Sequence, residues 1–428
     1  MKNYKNNTLA LLGGPKTIAE SFHPYNPIGK EEVEAGKAVI ESGVLSKYIG
    51  AWHPDFLGGP KVKEFESRCA EFFGVKHAVT VNSWTSGLVA AVGAIGISPG
   101  DEVITTPWTM SASATAILHW SGIPVFADID RDSFNLDLSS VERNISEQTK
   151  AIISVDIFGM SADMDELMAL AQKYNLKVIS DTAQGPGARY KDKYAGTLAD
   201  IGGYSLNYHK HIHTGEGGVL VTDDDNLAER LQLIRNHAEV VVEGKGVTNL
   251  TNMVGHNFRL GEIECAIGLE QLKKLPRLVC ERQTLATALT GELTGLPCIQ
   301  TPVINDDRDH VFYVYPIVLD VAKLGVSRDR ICDALEAEGL AVMRRYQNIH
   351  LLPMYQQKIA FGPTGFPWNS EFCKRNINYY RGICPVAEEL NDESFIGIGM
   401  CVYDLSIKDI TLIGEVFRKV WSNLDKLK

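Results

Sequence analysis

The stretch KVISDTAQGPGARYKDKYAGTLADIGGYSLNYHKHIHTGEGGVLVTDD, residues 177–224, contains short apolar runs separated by polar and glycine-rich turns. Such runs, with few alternating polar residues, predict strands buried on both faces, as in a largely parallel sheet covered by helices. Asp181 directly follows the first run, and Lys210 lies in the loop after DIGGYSL. Because ligands gather at the carboxyl ends of strands in an open α/β sheet, we expect both side chains at a binding site.

Similar apolar runs alternate with helical stretches over residues 76–239, which predicts an α/β fold with a mainly parallel sheet sandwiched by helices. A helical segment from about Leu260 runs into Pro276, which we interpret as a hinge between domains. Beyond it, HVFYVYPIVLD (310–320) alternates like a half-buried strand and Ser327 is placed to cap a helix, which indicates a smaller α+β domain. We therefore predict an N-terminal arm, a large domain and a small C-terminal domain, comprising residues 1–30, 31–276 and 277–428.

The composition of the 428 residues, 45% hydrophobic and 22% charged, is that of an ordinary globular protein. A net charge of -11 and the lack of a basic cluster argue against nucleic acid as a partner. The apolar run LALL near the amino terminus is too short for a signal peptide or a membrane span, so we expect no membrane partner. The eight cysteines occur without any CxxC pair, which predicts reduced core thiols and a cytoplasmic location.

Three features at predicted strand ends have complementary chemistry. The turn Thr85-Ser86-Gly87 precedes a helix and offers hydroxyls and free backbone N–H groups, which suit a phosphate. A buried Asp181 could keep a heteroaromatic nitrogen protonated, and a desolvated Lys210 would be a nucleophilic amine. A phosphate, a pyridinium nitrogen and an aldehyde that reacts with lysine together describe pyridoxal 5'-phosphate (PLP).

Each of these residues also has a simpler interpretation. A lysine is most often a solvated charge, an aspartate after a strand is most often a turn or helix cap, and Thr-Ser before a helix is usually a cap. His209, His211 and His213 would share one face of a strand, a spacing compatible with a metal site. No cysteine or obvious carboxylate ligand lies close to them in sequence, so we assign no metal ligands. The residues by themselves do not decide between these interpretations.

Over nearly its whole length the chain resembles the DegT/StrS family of PLP-dependent sugar aminotransferases, which belong to fold type I. Residues 177–224 carry the most specific part of this resemblance. The other matching stretches, in chain order, are GGPKVKEFESRCAEFFGVKHAVTVNSWTSGL (58–88), PGDEVITTPWTMSASATAIL (99–118), IPVFADIDRDSFNLD (123–137), GHNFRLGEIECAIGLEQL (255–272) and RRYQNIHLLPMYQ (344–356).

The resemblance implies a role for each matching residue. Lys210 matches the catalytic lysine that forms a Schiff base with PLP, and Asp181 matches the acid that pairs with the pyridine nitrogen. The other implied cofactor-binding residues are Gln184 near the ring oxygen, Thr85, Ser86 and Ser205 at the phosphate, Met110 over the ring, and Asn257 reaching the phosphate of the neighbouring subunit. A residue shared in this way implies a homodimer with two shared active sites.

The chain departs from the family pattern at three places. Met110 stands where an aromatic residue commonly covers the ring, so either its thioether or Trp108 is expected to do so, and we favour Met110. Trp84 stands where glycine is common, which we expect to narrow the entrance near the phosphate. The three histidines are not family features, and we interpret them as packing or substrate-contacting residues.

The resemblance implies an aminotransferase that moves nitrogen from glutamate or glutamine to a keto-sugar, expected to be nucleotide-linked, for polysaccharide or secondary-metabolite synthesis. A keto-cyclitol is a second acceptor class found within the family. One family branch has histidine in place of the lysine and removes a sugar hydroxyl, so Lys210 favours transamination over dehydration. Two competing hypotheses of a different class are a non-catalytic regulator with a PLP fold and a histidine-based metal hydrolase.

Overall fold

The computed structural model describes residues 8–428; residues 1–7 of the predicted N-terminal arm lie outside the described part. Its strands are β1 (His77–Val81), β2 (Glu102–Thr105), β3 (Ile123–Phe126), β4 (Thr149–Val155), β5 (Lys177–Asp181), β6 (Arg189–Tyr190), β7 (Lys193–Tyr194), β8 (Ile201–Ser205), β9 (Gly218–Thr222), β10 (Ile299–Gln300), β11 (Val314–Leu319) and β12 (Phe395–Gly399).

The helices divide into those that surround the large sheet and those that follow it in the chain. The first group comprises α1 (Lys30–Ser42), α2 (Pro60–Phe73), α3 (Trp84–Ala94), α4 (Ala112–His119), α5 (Leu138–Asn144), α6 (Met164–Lys173), α7 (Asp225–Arg235), α8 (Ala238–Lys245) and α9 (Glu262–Leu293). The second comprises α10 (Val321–Leu324), α11 (Arg328–Ala337), α12 (Pro353–Gln357), α13 (Pro385–Glu389) and α14 (Ile407–Trp421).

A seven-stranded sheet in the order β1-β9-β8-β5-β4-β2-β3 forms the centre of the molecule. Strand β9 is antiparallel to both of its neighbours, and the other pairs are parallel. Neighbouring residues of one strand pack on opposite sides, since Ile152 and Ile153 of β4 belong to different apolar clusters. The sheet is therefore buried on both faces, and the predicted mainly parallel α/β fold is confirmed.

The carboxyl ends of the parallel strands meet at one edge of this sheet, where β5 ends at Asp181 and β8 ends at Ser205. The two strands are adjacent, and Asp181 is paired with Gly203. Helix α3 begins directly after β1, with Ser83 as its N-cap. This edge brings an acidic side chain, a hydroxyl and a helix N-terminus together.

The C-terminal part contains a three-stranded antiparallel sheet in the order β10-β11-β12. All six residues of β11 are buried, so the expectation of a half-buried strand is wrong. The reason is that Tyr315 and Ile317 pack against α11 and α14, whereas Val314 and Val318 join the apolar core beside the large sheet. Ser327 caps α11 as predicted, because its side chain accepts a hydrogen bond from the N–H of Arg330.

Helix α9 connects the two parts and continues through Pro276 to Leu293. A proline inside a helix removes one backbone hydrogen bond. Buried residues on both sides of it, including Leu275 and Leu278, keep the helix packed along its length. The helix therefore continues through the interpreted hinge at Pro276, and the domain boundary at residue 276 stays a prediction.

All eight cysteines are free thiols, and five of them are buried as expected. Cys280 is exposed, and Cys298 and Cys373 are half-buried, so the prediction of core thiols is wrong for these three. Within residues 8–428, no helix combines the length and the apolarity needed to cross a membrane.

A segment after α12 ties the C-terminal part to the edge of the large sheet. The Arg375 guanidinium donates two hydrogen bonds to the Glu102 carboxylate, at 2.7 and 2.8 Å, and Glu102 is 2% exposed. The Tyr379 hydroxyl donates to the carbonyl oxygen of Pro124 in β3 at 2.7 Å. The Tyr379 contact gives a partner to one backbone carbonyl of β3, an outer strand of the sheet, and the Arg375 contact adds a tie to β2 beside it.

We expect Arg375→Ala to lower the free energy of unfolding by about 2 kcal/mol, because it leaves the buried Glu102 carboxylate without a cation. The loss should be smaller than for a fully buried pair, since Arg375 is 39% exposed. A urea titration followed by circular dichroism measures the change. Arg68→Ala is the matched control, because its ion pair with Glu71 is largely exposed and should contribute less than ~0.5 kcal/mol. Equal effects of the two substitutions would contradict the assigned role of Arg375.

Candidate active site

A cavity of about 280 Å³ lies at the carboxyl edge of the large sheet, close to the lower size limit of small-molecule sites. Six of the predicted site residues line it: Thr85, Met110, Asp181, Gln184, Ser205 and Lys210. Ser86 and Asn257 are not among the lining residues. The structure therefore brings together most of a set of residues that are far apart in the sequence.

Lys210 lies in the irregular loop between β8 and β9 and is only 8% exposed. Its Nζ is 4.3 Å from the centroid of the Tyr313 ring. Burial lowers the pKa of this amine to about 8, although the negative charge of Asp181 acts in the opposite direction. An amine with such a pKa has a substantial neutral fraction near physiological pH and can act as a nucleophile. This excludes the interpretation of Lys210 as a solvated surface charge.

Asp181 is the last residue of β5 and is almost completely buried. Its Oδ1 accepts hydrogen bonds from Trp84 Nε1 at 2.6 Å and from the Ala183 N–H at 3.3 Å, and its Oδ2 accepts one from Ser113 Oγ at 2.7 Å. Burial raises the pKa of the carboxyl group, whereas these donors and the positive charge of Lys210 lower it. Since the donors are neutral, the carboxylate can still take a cationic partner.

Hydroxyls and backbone N–H groups surround the N-terminus of α3. Ser83 caps the helix by accepting a hydrogen bond from the Ser86 N–H, and the two serine hydroxyls are 3.0 Å apart. Ser86 is thus engaged in the cap, whereas the exposed Thr85 lines the cavity. Ser205 lines the cavity too, with its Oγ accepting from the Asn207 N–H at 3.3 Å. The positive end of the helix dipole and these donors suit an anion.

Two of the predicted site residues, Met110 and Gln184, flank the space that the ring of a cofactor would occupy. Met110 is 68% exposed and lines the cavity, whereas Trp108 is fully buried and donates from Nε1 to Asn348 Oδ1 at 2.8 Å. Of the two candidates for covering a ring, the geometry favours Met110. Gln184 accepts from the Phe158 N–H at 2.9 Å and donates to the Tyr346 hydroxyl at 3.0 Å, which fixes its amide at the cavity wall.

The three histidines do not share one strand face, so that expectation is wrong. Residues 206–217 form a loop, in which alternate residues need not point the same way. His209 lines the cavity, and burial lowers its pKa to about 4. His211 is fully buried with Nε2 at 2.8 Å from the Val311 carbonyl oxygen, and His213 Nδ1 accepts from the Gly215 N–H. Over residues 8–428, no group of three or more potential metal ligands was found.

Several site residues escape prediction from the sequence. Tyr313 and Tyr346 come from the C-terminal part, and no local pattern connects them with Lys210. Trp84 departs from the family pattern; it is 5% exposed, lines the cavity and contacts Asp181, and the expectation that it narrows the entrance near the phosphate stays a prediction. Ser113 lies in one of the matching stretches, yet only the fold reveals its bond to Asp181.

The arrangement fits PLP on three independent counts. A buried amine of lowered pKa can react with the aldehyde, and a buried carboxylate whose hydrogen-bond donors are all neutral can pair with the protonated ring nitrogen. A capped helix N-terminus can bind the phosphate. Lys210, Asp181 and the first turn of α3 would hold these three parts of the cofactor.

Comparison with known proteins supports the same chemistry. The model of the DegT/DnrJ/EryC1/StrS aminotransferase family matches residues 44–400. The spore coat polysaccharide biosynthesis protein SpsC of Bacillus subtilis (strain 168) is 33% identical over 393 residues, which cover 90% of this chain and 97% of that protein. GDP-perosamine synthase of Caulobacter vibrioides is 35% identical over 302 residues, or 69% of this chain and 79% of that protein.

Among solved structures, DesI in the presence of its TDP-sugar product is similar with a TM-score of 0.81 and 25% identity, over 98% of this chain and 97% of that chain. These matches confirm the fold-type I architecture and the family resemblance. The chain belongs to the DegT/DnrJ/EryC1/StrS aminotransferase family and is a PLP-dependent aminotransferase.

Proposed function

We propose that this enzyme transfers the amino group of glutamate or glutamine to a nucleotide-linked keto-sugar. The observation that carries the proposal is the burial of Lys210 and Asp181 in one cavity of a chain from this family. The names of two relatives refer to sugars attached to GDP or TDP, and that of a third refers to a spore coat polysaccharide. These names support an acceptor of the nucleotide-sugar class and a product that enters polysaccharide synthesis.

PLP, when bound, supplies an electron sink that stabilises negative charge on the carbon next to the transferred nitrogen. Lys210 would take a proton from the amino donor's carbon on one side of the transferred nitrogen and deliver it to the carbon on the other side, because an amine with a pKa of about 8 exists in both protonation states near neutral pH. Asp181 favours a proton on the ring nitrogen by placing a negative charge beside it. The bond between Gln184 and Tyr346 holds the amide that we assign to the ring oxygen.

The acceptor would extend from this cavity towards the side chains at its rim. Asn207, His209 and Glu216 line the cavity, and Asn207 Nδ2 donates to Glu216 Oε1 at 2.9 Å. His209 is a neutral hydrogen-bonding group at neutral pH because its pKa is lowered to about 4. We assign these polar groups to the sugar hydroxyls, which is the substrate-contacting role expected for His209.

Different functions have less support. Dehydration of the sugar belongs, by the resemblance, to a branch with histidine at the position of Lys210. A purely regulatory protein would have no need for a buried amine next to a buried acid, an arrangement that is costly to fold. A keto-cyclitol acceptor requires the same chemistry at the cofactor, so a substrate screen decides between it and a nucleotide sugar.

We further propose a homodimer in which Asn257 completes the site of the partner. Asn257 is exposed and lies outside the cavity of its own subunit. Trp52, Val240 and Val254 are apolar side chains that are each at least half exposed. We expect a second copy to cover such side chains and to bring Asn257 to the other cavity.

The free state of all eight cysteines supports a cytoplasmic location.

We expect the purified enzyme with PLP to convert glutamate or glutamine to the keto acid, and then to aminate a keto-sugar nucleotide. Lys210→Ala should lower the rate of both half-reactions at least a thousandfold, because it removes the amine that moves the proton. Stopped-flow absorbance of the cofactor measures each half-reaction, and mass spectrometry identifies the amino sugar. Lys37→Ala, at an exposed lysine, is the control and should have the wild-type rate. An undiminished rate in Lys210→Ala would overturn the proposal.

The shared site predicts complementation between two defective subunits. Asn257→Asp should weaken PLP binding about tenfold by placing a negative charge near the phosphate. A heterodimer of one Lys210→Ala subunit and one Asn257→Asp subunit, purified through two different tags, has one intact site and should show about half of the wild-type activity at limiting PLP. Activity no higher than the mean of the two parent dimers would show that Asn257 serves its own subunit.

A further inference from the structure

Trp84 occupies a slot that the neighbouring strands leave open. It is the first residue of α3, and its indole lies against Gly203 of β8 and Gly87 of its own helix. A Cβ atom at Gly203 would overlap the indole, and one at Gly87 would lie 2.8 Å from Cε3 of the ring. Because Gly203 is also the strand partner of Asp181, the missing side chain opens a path from the indole to that carboxylate.

The indole uses this path to reach the acid directly. Trp84 Nε1 donates to Asp181 Oδ1 at 2.6 Å, and both residues are buried. Ser113 Oγ holds the other oxygen at 2.7 Å. With a donor on each oxygen, the carboxylate cannot rotate about its side chain without breaking one of these bonds.

We propose that Trp84 is a positioning residue for the cofactor: its indole N–H fixes the orientation of Asp181 and stabilises the ionised carboxylate that receives the pyridinium nitrogen. This proposal rests on the proposed function and adds a residue to it. The aromatic ring fills the slot, and the N–H performs the positioning.

Other charged and titratable groups also face Asp181. Lys210 is a cation in the same cavity, whereas Asp156 and Tyr346 are buried groups whose pKa values are raised in part by Asp181. Burial already raises the pKa of Asp181, and the indole N–H opposes this effect. Removing the N–H should therefore raise the pKa of Asp181 further, so that the carboxylate becomes protonated at a higher pH.

The test compares PLP binding by apoenzymes that differ at position 84. Trp84→Phe removes the N–H and part of the ring, and naphthylalanine at position 84 keeps two fused rings without the N–H. Both should weaken PLP binding about tenfold at neutral pH and move up by about one pH unit the limb that Asp181 adds to the binding profile, which is separate from the Lys210 limb near pH 8 and is absent in an Asp181→Asn background. Absorbance titration of apoenzyme with PLP between pH 5 and pH 9 measures both quantities. Trp421→Phe is the control, because it removes a buried indole bond to the Pro297 carbonyl oxygen far from the cavity.

The possible results distinguish a failure of the role proposed for Trp84 from a failure of the proposed function. The proposal holds if the wild type and Trp421→Phe bind PLP alike while both position-84 variants bind it more weakly with a shifted acidic limb. It is overturned if naphthylalanine at position 84 leaves both the affinity and the limb unchanged, or if Trp84→Phe has the same effect in an Asp181→Asn background. Failure of the wild-type protein to bind PLP at all would instead refute the proposed function.

Discussion

The burial of one amine and one carboxylate in a single cavity is the constraint on which the site depends. Neither group would stay charged in an apolar environment without compensation, and both are nearly inaccessible to solvent. Neutral donors from α3, α4 and the turn after β5 stabilise Asp181, and the Tyr313 ring lies below the amine of Lys210. The protein thereby keeps an amine and a carboxylate in one buried cavity. The aldehyde of the cofactor would react with the amine, and its protonated ring nitrogen would pair with the carboxylate.

The large sheet makes this arrangement possible. Because both of its faces are covered, a ligand can meet polar side chains of the sheet at the strand ends, and the parallel direction of β5 and β8 puts two such ends side by side. The C-terminal part then closes the cavity with Tyr313 and Tyr346. Its position relative to the sheet is fixed by the unbroken helix α9 and by the pair between Arg375 and the buried Glu102. Contacts outside the cavity, in α9 and between Arg375 and Glu102, therefore help to determine where Tyr313 and Tyr346 lie within it.

Much of the large sheet and of the candidate site could be predicted from the sequence, because the sequence patterns that indicate them are local. Doubly buried strands have continuous apolar runs; Asp181 follows such a run directly, and Lys210 lies in the loop after another. The errors came from contacts between distant segments. Strand β11 looks half-buried in sequence but is covered on both sides by elements that no local pattern connects to it. His209, His211 and His213 occupy alternate positions, as residues on one face of a strand do, but they lie in a loop. The indole of Trp84 reaches Asp181 only because Gly203, on the strand next to Asp181, has no side chain in its way.

Chemical trapping of the amine that captures PLP tests whether that amine belongs to Lys210. Apoenzyme is mixed with PLP at a series of pH values and reduced with borohydride, and the labelled peptides are mapped by mass spectrometry. We expect one label, on Lys210, with a yield that rises with pH through a midpoint near 8, since burial favours the neutral amine. A label on other lysines with Lys210 unmodified, in protein that has bound PLP, would contradict this expectation.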